Sequence, residues 1–145
     1  MASETFFTKD QETQIVDAIK SAEKNTSGEI RVHIEPSTNG KDTLERAIEV
    51  FQELEMHQTE ARNGVLLYLA FEDHSFSIFG DKGINEVVGT DFWNSTRDLM
   101  QSAFKQGQFA KGLVDGITEA GNALKTYFPY QKDDQNELDD QISKG

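Results

Sequence analysis

The side chains of this sequence best suited to chemistry are carboxylates set beside glycines. Glu29 follows Gly28, Asp81 stands between Gly80 and Lys82-Gly83, and Glu86 and Asp91 come soon after, inside the stretch 62–91, RNGVLLYLAFEDHSFSIFGDKGINEVVGTD. Hard divalent cations take oxygen ligands, about six to eight of them for Ca2+. Glu29, Asp81, Glu86 and Asp91 offer carboxylates for such a site, and glycine lets the loop carbonyls around Gly83 turn inward. The spacing is not that of an EF-hand. The same residues also have plain structural roles: Asp91 as a helix cap, Asp81 in a turn, Glu29 at an exposed strand end. Both readings stand at this level.

The charge balance narrows the partners. With 26 Asp and Glu against 14 Lys and Arg, the net charge is -12. That field repels nucleic acid and anionic membranes, and it either attracts cations and basic partners or simply keeps the protein soluble. The chain has no cysteine, which excludes disulfides, thiolate metal sites and Cys nucleophiles. His33, His57 and His74 lack the spacing of a zinc site. No stretch has the basic flank and apolar core of a signal peptide, or the roughly 18 apolar residues of a membrane span, so a cytoplasmic monomer is expected.

Several elements must position the carboxylates. Thr8 and Gln11 form a capping box ahead of Ile15, Ala18, Ile19 and Ala22, predicting a helix over 9–24. Residues 29–35 alternate, with Ile30, Val32 and Ile34 on one side and Arg31, His33 and Glu35 on the other, as in a strand with one polar face. Asp42 opens a second helix carrying Leu44, Ala47, Ile48, Phe51 and Leu54. The unbroken apolar run 64–71 reads as a central strand covered on both faces, and 75–79 as its antiparallel neighbour across the Glu72-Asp73-His74 turn.

A strand, a crossover helix and a second strand make a βαβ unit with parallel strands. Glu29, Asn63 and Asp81 therefore converge at one end of the sheet, and His74 falls at the other. Phe92, Thr96, Leu99, Met100 and Ala103 predict a third helix, capped by Thr90 or Asp91 and stopped by Gly107. Phe109, Leu113, Ile117, Ala120, Leu124 and Phe128 predict a fourth, whose Gly112, Gly116 and Gly121 require a closely packed neighbour. The expectation is an α/β domain over 1–130, with four main helices and a mixed sheet of three to four strands, followed by an acidic flexible tail over 131–145.

Six segments in register, GEIRVHIE, ARNGVLLYLA, FGDKGINEVVGTDFW, FKQGQF, FPY and NEL, resemble the TPM domain family from about residue 7 to 138. The resemblance implies a Rossmann-like three-layer α/β/α sandwich, binding of Ca2+ or Mg2+, and a phosphatase activity on phosphoric monoesters. The family motif falls on Asp81, Gly83-Ile84 and Asp91, with Glu86 between them. No P-loop and no phosphatase nucleophile pattern is present, so attack by a metal-activated water is expected, with Arg62 or Lys82 as a phosphate clamp. The expected site is then Asp91, Asp81 and Arg62 for catalysis, and Glu29, Asp81, Glu86 and Asp91 for the metal. The alternative is a Ca2+- or Mg2+-binding module that regulates a protein partner without turning over a phosphate ester.

Overall fold

A computed structural model of the protein describes residues 2–131 and 138–145. A short helix, α1 (Ala2–Thr5), precedes α2 (Lys9–Glu23), whose capping box is complete. Gln11 N donates to Thr8 Oγ1 at 3.1 Å, and Thr8 N donates to Gln11 Oε1 at 2.9 Å. The chain continues through β1 (Glu29–Glu35) and α3 (Thr43–Glu53) to a 3-10 turn (Met56–Gln58) and β2 (Gly64–Ala70). Asp42 caps α3 by accepting from Glu45 N at 3.2 Å.

β1 and β2 pair in parallel, from Glu29 opposite Gly64 to Glu35 opposite Ala70. β3 (Ser75–Gly80) returns antiparallel to β2. All seven residues of β2 are buried, which requires a covering layer on each face. On one face Val65, Leu67 and Leu69 join Ile30, Val32 and Ile34 in a core with Ile15 and Ile19 of α2. On the other, Leu66, Tyr68 and Ala70 pack with Ala47, Val50 and Phe51 of α3 and with Met56. The result is the expected α/β/α sandwich, built on a four-stranded sheet in the order β3-β2-β1-β4, where β4 is the short strand Ser143–Lys144.

The stretch after β3 departs from expectation. A one-turn helix, α4 (Lys82–Asn85), replaces the expected loop, with Asp81 as its cap. The next helix, α5 (Asn94–Lys105), begins later than expected, and neither Thr90 nor Asp91 caps it. Trp93 holds the N-cap position with no side-chain cap. Burial of the Trp93 indole sets this start: a Cβ on Gly80 would lie 3.4 Å from Trp93 Cζ2. At Gly107 the backbone takes φ +75 after the helix end, the usual place of a C-terminal glycine.

α6 (Phe109–Leu124) packs against both α5 and α2. A Cβ on Gly112 would fall 2.3 Å from the Phe104 ring, one on Gly116 2.6 Å from Met100 Sδ, and one on Gly121 2.8 Å from Ala22 Cβ. The three glycines thus let neighbouring helices touch the α6 backbone.

Of the expected acidic tail, 132–137, including Asn136 and Glu137 of the NEL segment, lies outside the described residues. The residues after it run back along the sheet rather than away from it. Leu138 N donates to Glu29 Oε1 at 2.8 Å, and β4 (Ser143–Lys144) pairs in parallel with β1 at His33 and Ile34. Lys144 Nζ lies 2.6 Å from Glu12 Oε2. Asp140 meets Glu23 of α2, where burial and the Asp140 hydrogen bond push the Glu23 carboxyl up to about 9. Glu23 is therefore protonated at neutral pH, which lets two carboxyl groups meet. Among the described residues no helix is long and apolar enough to cross a membrane.

A valine at Gly121 must push α6 away from α2. Gly121→Val is expected to lower stability by about 1–3 kcal/mol in chemical denaturation, whereas an unchanged midpoint would mean that the α2–α6 contact adjusts freely.

Candidate functional site

The strand-start end of the sheet carries the expected convergence. Glu29 sits beside Gly64, and Asp81 N donates to Gly64 O at 2.9 Å. Residues side by side across strands share a face, so both carboxylates stand on the face covered by α3. Asp81 is 3% exposed and receives a fork from Arg62, Nε to Oδ2 at 2.8 Å and Nη2 to Oδ1 at 2.9 Å. Lys82 N adds a third bond to Oδ1 at 2.7 Å. The hydrogen bond to Asp81 raises the pKa of Arg62.

Local backbone makes this possible. Arg62 has a left-handed φ of 52, and Gly83 N donates to Arg62 O at 2.8 Å. A Cβ on Gly83 would fall 2.2 Å from Ala61 O and 2.6 Å from Arg62 O. Gly83 therefore lets the start of α4 close onto the chain that enters β2, and that closure holds Arg62 over Asp81.

The other expected ligands lie apart from this pair. A Cβ on Gly64 would meet Met56 O at 3.1 Å and Leu138 Cδ1 at 3.6 Å, so Met56 and Leu138 fill the space over Gly64, between Glu29 and Asp81. Glu29 is buried and holds Leu138 N, in place of an exposed strand end. Glu86 and Asp91 are exposed. Glu86 lies 3.9 Å from Lys82 Nζ, and Asp91 Oδ1 accepts from Asn94 Nδ2 at 3.4 Å. Among the described residues no three His, Asp or Glu side chains gather where one metal ion would touch them all. Asn63 Nδ2 donates to Ser27 O at 3.0 Å, while its buried Oδ1 accepts no hydrogen bond.

Beside the Arg62–Asp81 pair opens a groove of about 470 Å3, walled by α3, the 3-10 turn and β3. It brings His57 of the 3-10 turn to the site, a residue for which the sequence excluded only a zinc-ligand spacing. The available signal was topological: the turn entering β2 must lie at the same end as Asp81.

At the opposite end of β1 the polar strand face is buried. Glu35 accepts from Arg46 Nε at 2.7 Å and Nη2 at 3.0 Å, and from Tyr68 OH at 2.5 Å. His33 Nε2 lies 3.0 Å from Glu35 Oε1, and its Nδ1 lies 2.9 Å from Ser143 Oγ. Burial alone would raise the Glu35 pKa, but the hydrogen bonds from Arg46, Tyr68 and His33 overcome it and hold the carboxylate at about 2. Burial lowers His33 and keeps it neutral, and it raises Tyr68. This network fixes α3 and β4 to the sheet. His74, in the hairpin turn as expected, has a φ of 55 and its ring lies 5.9 Å from that of Phe109.

Comparison with known proteins agrees with this architecture. The sequence profile of the TPM domain matches residues 1–123. The solution structure of the BA42 protein from the psychrophilic bacterium Bizionia argentinensis superposes with a TM-score of 0.92 at 57% identity, over 97% of this chain and 96% of that one. The N-terminal domain of the cg2496 protein from Corynebacterium glutamicum gives a TM-score of 0.66 at 15% identity, over 94% of this chain and 79% of that one. The N-terminal domain of a P. gingivalis protein gives 0.70 at 17%, over 84% and 78%. These last two share the fold. No curated protein sequence matches the chain.

The Glu35 network has a pH signature. A carboxylate held at about 2 adds stability that is complete above its ordinary 4.5 and lost as pH falls toward 2. His33, held neutral, adds a loss of the same sign below its ordinary 6.5. Thermal midpoints should therefore fall on acidification. Glu35→Gln should cost about 1–3 kcal/mol at neutral pH by removing the charged fork on Arg46, whose Nη1 keeps only its contacts to Glu49 and Glu53, and it should flatten the acid slope below 4.5. A slope equal to that of the unaltered protein would remove Glu35 as its source.

Proposed function

Because the chain belongs to the TPM domain family, we propose that it is a divalent-metal-dependent phosphatase acting on phosphoric monoesters at the strand-start end of the sheet. The observation that carries this reading is the Arg62 guanidinium, gripped on two nitrogens by a buried carboxylate at the edge of a groove. Its Nη1 makes no hydrogen bond among the described residues. A guanidinium fixed along one edge presents its remaining N–H groups in a set direction, which suits the oxygens of a phosphate. Because Asp81 has done the positioning, little side-chain entropy is lost on binding.

The carboxylates fit a cation that arrives with the phosphate better than a closed cage. Ca2+ asks for about six to eight oxygens, while Mg2+ keeps several waters and needs only one or two carboxylates beside substrate phosphate oxygens. A carboxylate has about four acceptor positions, and Asp81 uses three, for Arg62 twice and Lys82 N once. Asp81 would hold such a cation; Glu86 and Asp91 follow in an exposed segment and, among the described residues, do not gather with it into a three-carboxylate site. Bound there, the ion would supply charge neutralisation at the phosphoryl oxygens and acidify water. Glu29, occupied by Leu138, is left to anchor the C-terminal segment.

The test is hydrolysis of a chromogenic phosphomonoester by chelator-stripped protein, with and without Mg2+ or Ca2+. Metal-dependent turnover is expected. Arg62→Ala should lower kcat/KM about 100-fold, the loss typical of one oriented donor, and Asp81→Asn should weaken the metal dependence. No turnover with any metal, in protein whose melting temperature the metal nevertheless raises, would overturn the phosphatase reading and leave a binding module.

A further inference from the structure

The groove beside Arg62 has a chemical bias of its own. Its walls are Ile48 and Phe51 of α3 and Phe79 of β3, and Arg62 and Asp81 close one end. The Phe51 and Phe79 rings meet edge to face, with centroids 4.9 Å apart at 82°; Phe51 is buried behind the wall, and the partly exposed Phe79 and Ile48 offer the apolar surface on which a ring can pack. His57 and Gln52 form the polar margin.

The groove thus pairs an aromatic apolar trough with a single oriented guanidinium. A volume of about 470 Å3 admits one ring and its substituents, within the range of about 300–1,000 Å3 usual for small-molecule sites. Charge limits the anionic end. Asp81 already balances Arg62, and the chain carries -12 overall, so a polyphosphate meets more repulsion than a single phosphate does. We propose that the groove selects phosphate monoesters of aromatic alcohols: the ring lies along Phe79 and Ile48, and the phosphate meets the open edge of Arg62. The proposal rests on the phosphatase reading for its chemistry, since it names the substrate class of that same site.

Two substrates and one inert analogue separate the possibilities. With Mg2+ present, phenyl phosphate should show a KM about tenfold below that of glycerol 2-phosphate, the gain from burying one ring. Ile48→Trp, which fills the trough from the partly exposed side of α3, should remove that preference by raising the KM of phenyl phosphate more than that of glycerol 2-phosphate. Equal KM values for the two esters, or an equal effect of Ile48→Trp on both, would overturn the groove assignment while leaving the phosphatase reading intact.

Phenylphosphonate, whose carbon–phosphorus bond resists hydrolysis, supplies a readout without turnover. Its titration into the protein with Mg2+ should shift the NMR signals of the Ile48 methyl groups in a saturable way. That shift in a protein that hydrolyses no ester would uphold the groove and overturn the phosphatase reading. A saturable response absent from Ile48 would overturn the groove.

Discussion

The structure depends on the burial of β2. Seven consecutive residues, Gly64 to Ala70, lie out of water, and a strand buried on both faces imposes a layer on each side. The hydrophobic gain of about 1.5–3 kcal/mol for each large side chain makes any arrangement that leaves one face open costly. The parallel partner β1 then requires a crossover, which α3 supplies, and the remaining helices cover the opposite face. The placement of Arg62 and Asp81 follows from this. Arg62 stands two residues before Gly64, the first residue of β2, and Asp81 follows the last residue of β3, so the hairpin brings them to the same end.

The two faces of the sheet differ in kind. The face under α2 and α6 is apolar throughout, and glycines on α6 bring the helices into close contact. The face under α3 carries charge at both ends, the Arg62–Asp81 pair at one and the Glu35–Arg46–Tyr68–His33 network at the other, with Leu66, Phe51 and Met56 between. Buried charge survives at Asp81 and Glu35 because each accepts a guanidinium fork, the geometry that best offsets lost hydration. Such pairs set position more than they add stability. That property suits the floor of a binding site.

Much of this was legible in the sequence. The capping box at Thr8, the alternation over 29–35, the apolar run from Gly64 and the stop at Gly107 each act through local rules, and the structure keeps them. The convergence of Glu29, Asn63 and Asp81 followed from topology alone. What escaped were features set by distant residues. Trp93 delays the start of α5 because its ring has a place against Gly80. Leu138 and Ser143–Lys144 return to β1, against the composition of their segment, because the β1 edge and Glu29 offer partners that a local reading does not contain. The groove escaped for the same reason, since Ile48, His57 and Phe79 belong to three separate elements. The burial of the polar face of β1 escaped too, because Arg46, the partner of Glu35, lies eleven positions beyond it on another element.

The central claim is that the Arg62–Asp81 end of the sheet is where this protein meets a phosphate. Determining the structure with Mg2+ and vanadate, a mimic of a phosphoryl group under attack, tests it most directly. The account predicts vanadate against the Arg62 guanidinium with its metal beside Asp81. Vanadate bound elsewhere, with Arg62 and Asp81 untouched, would contradict it.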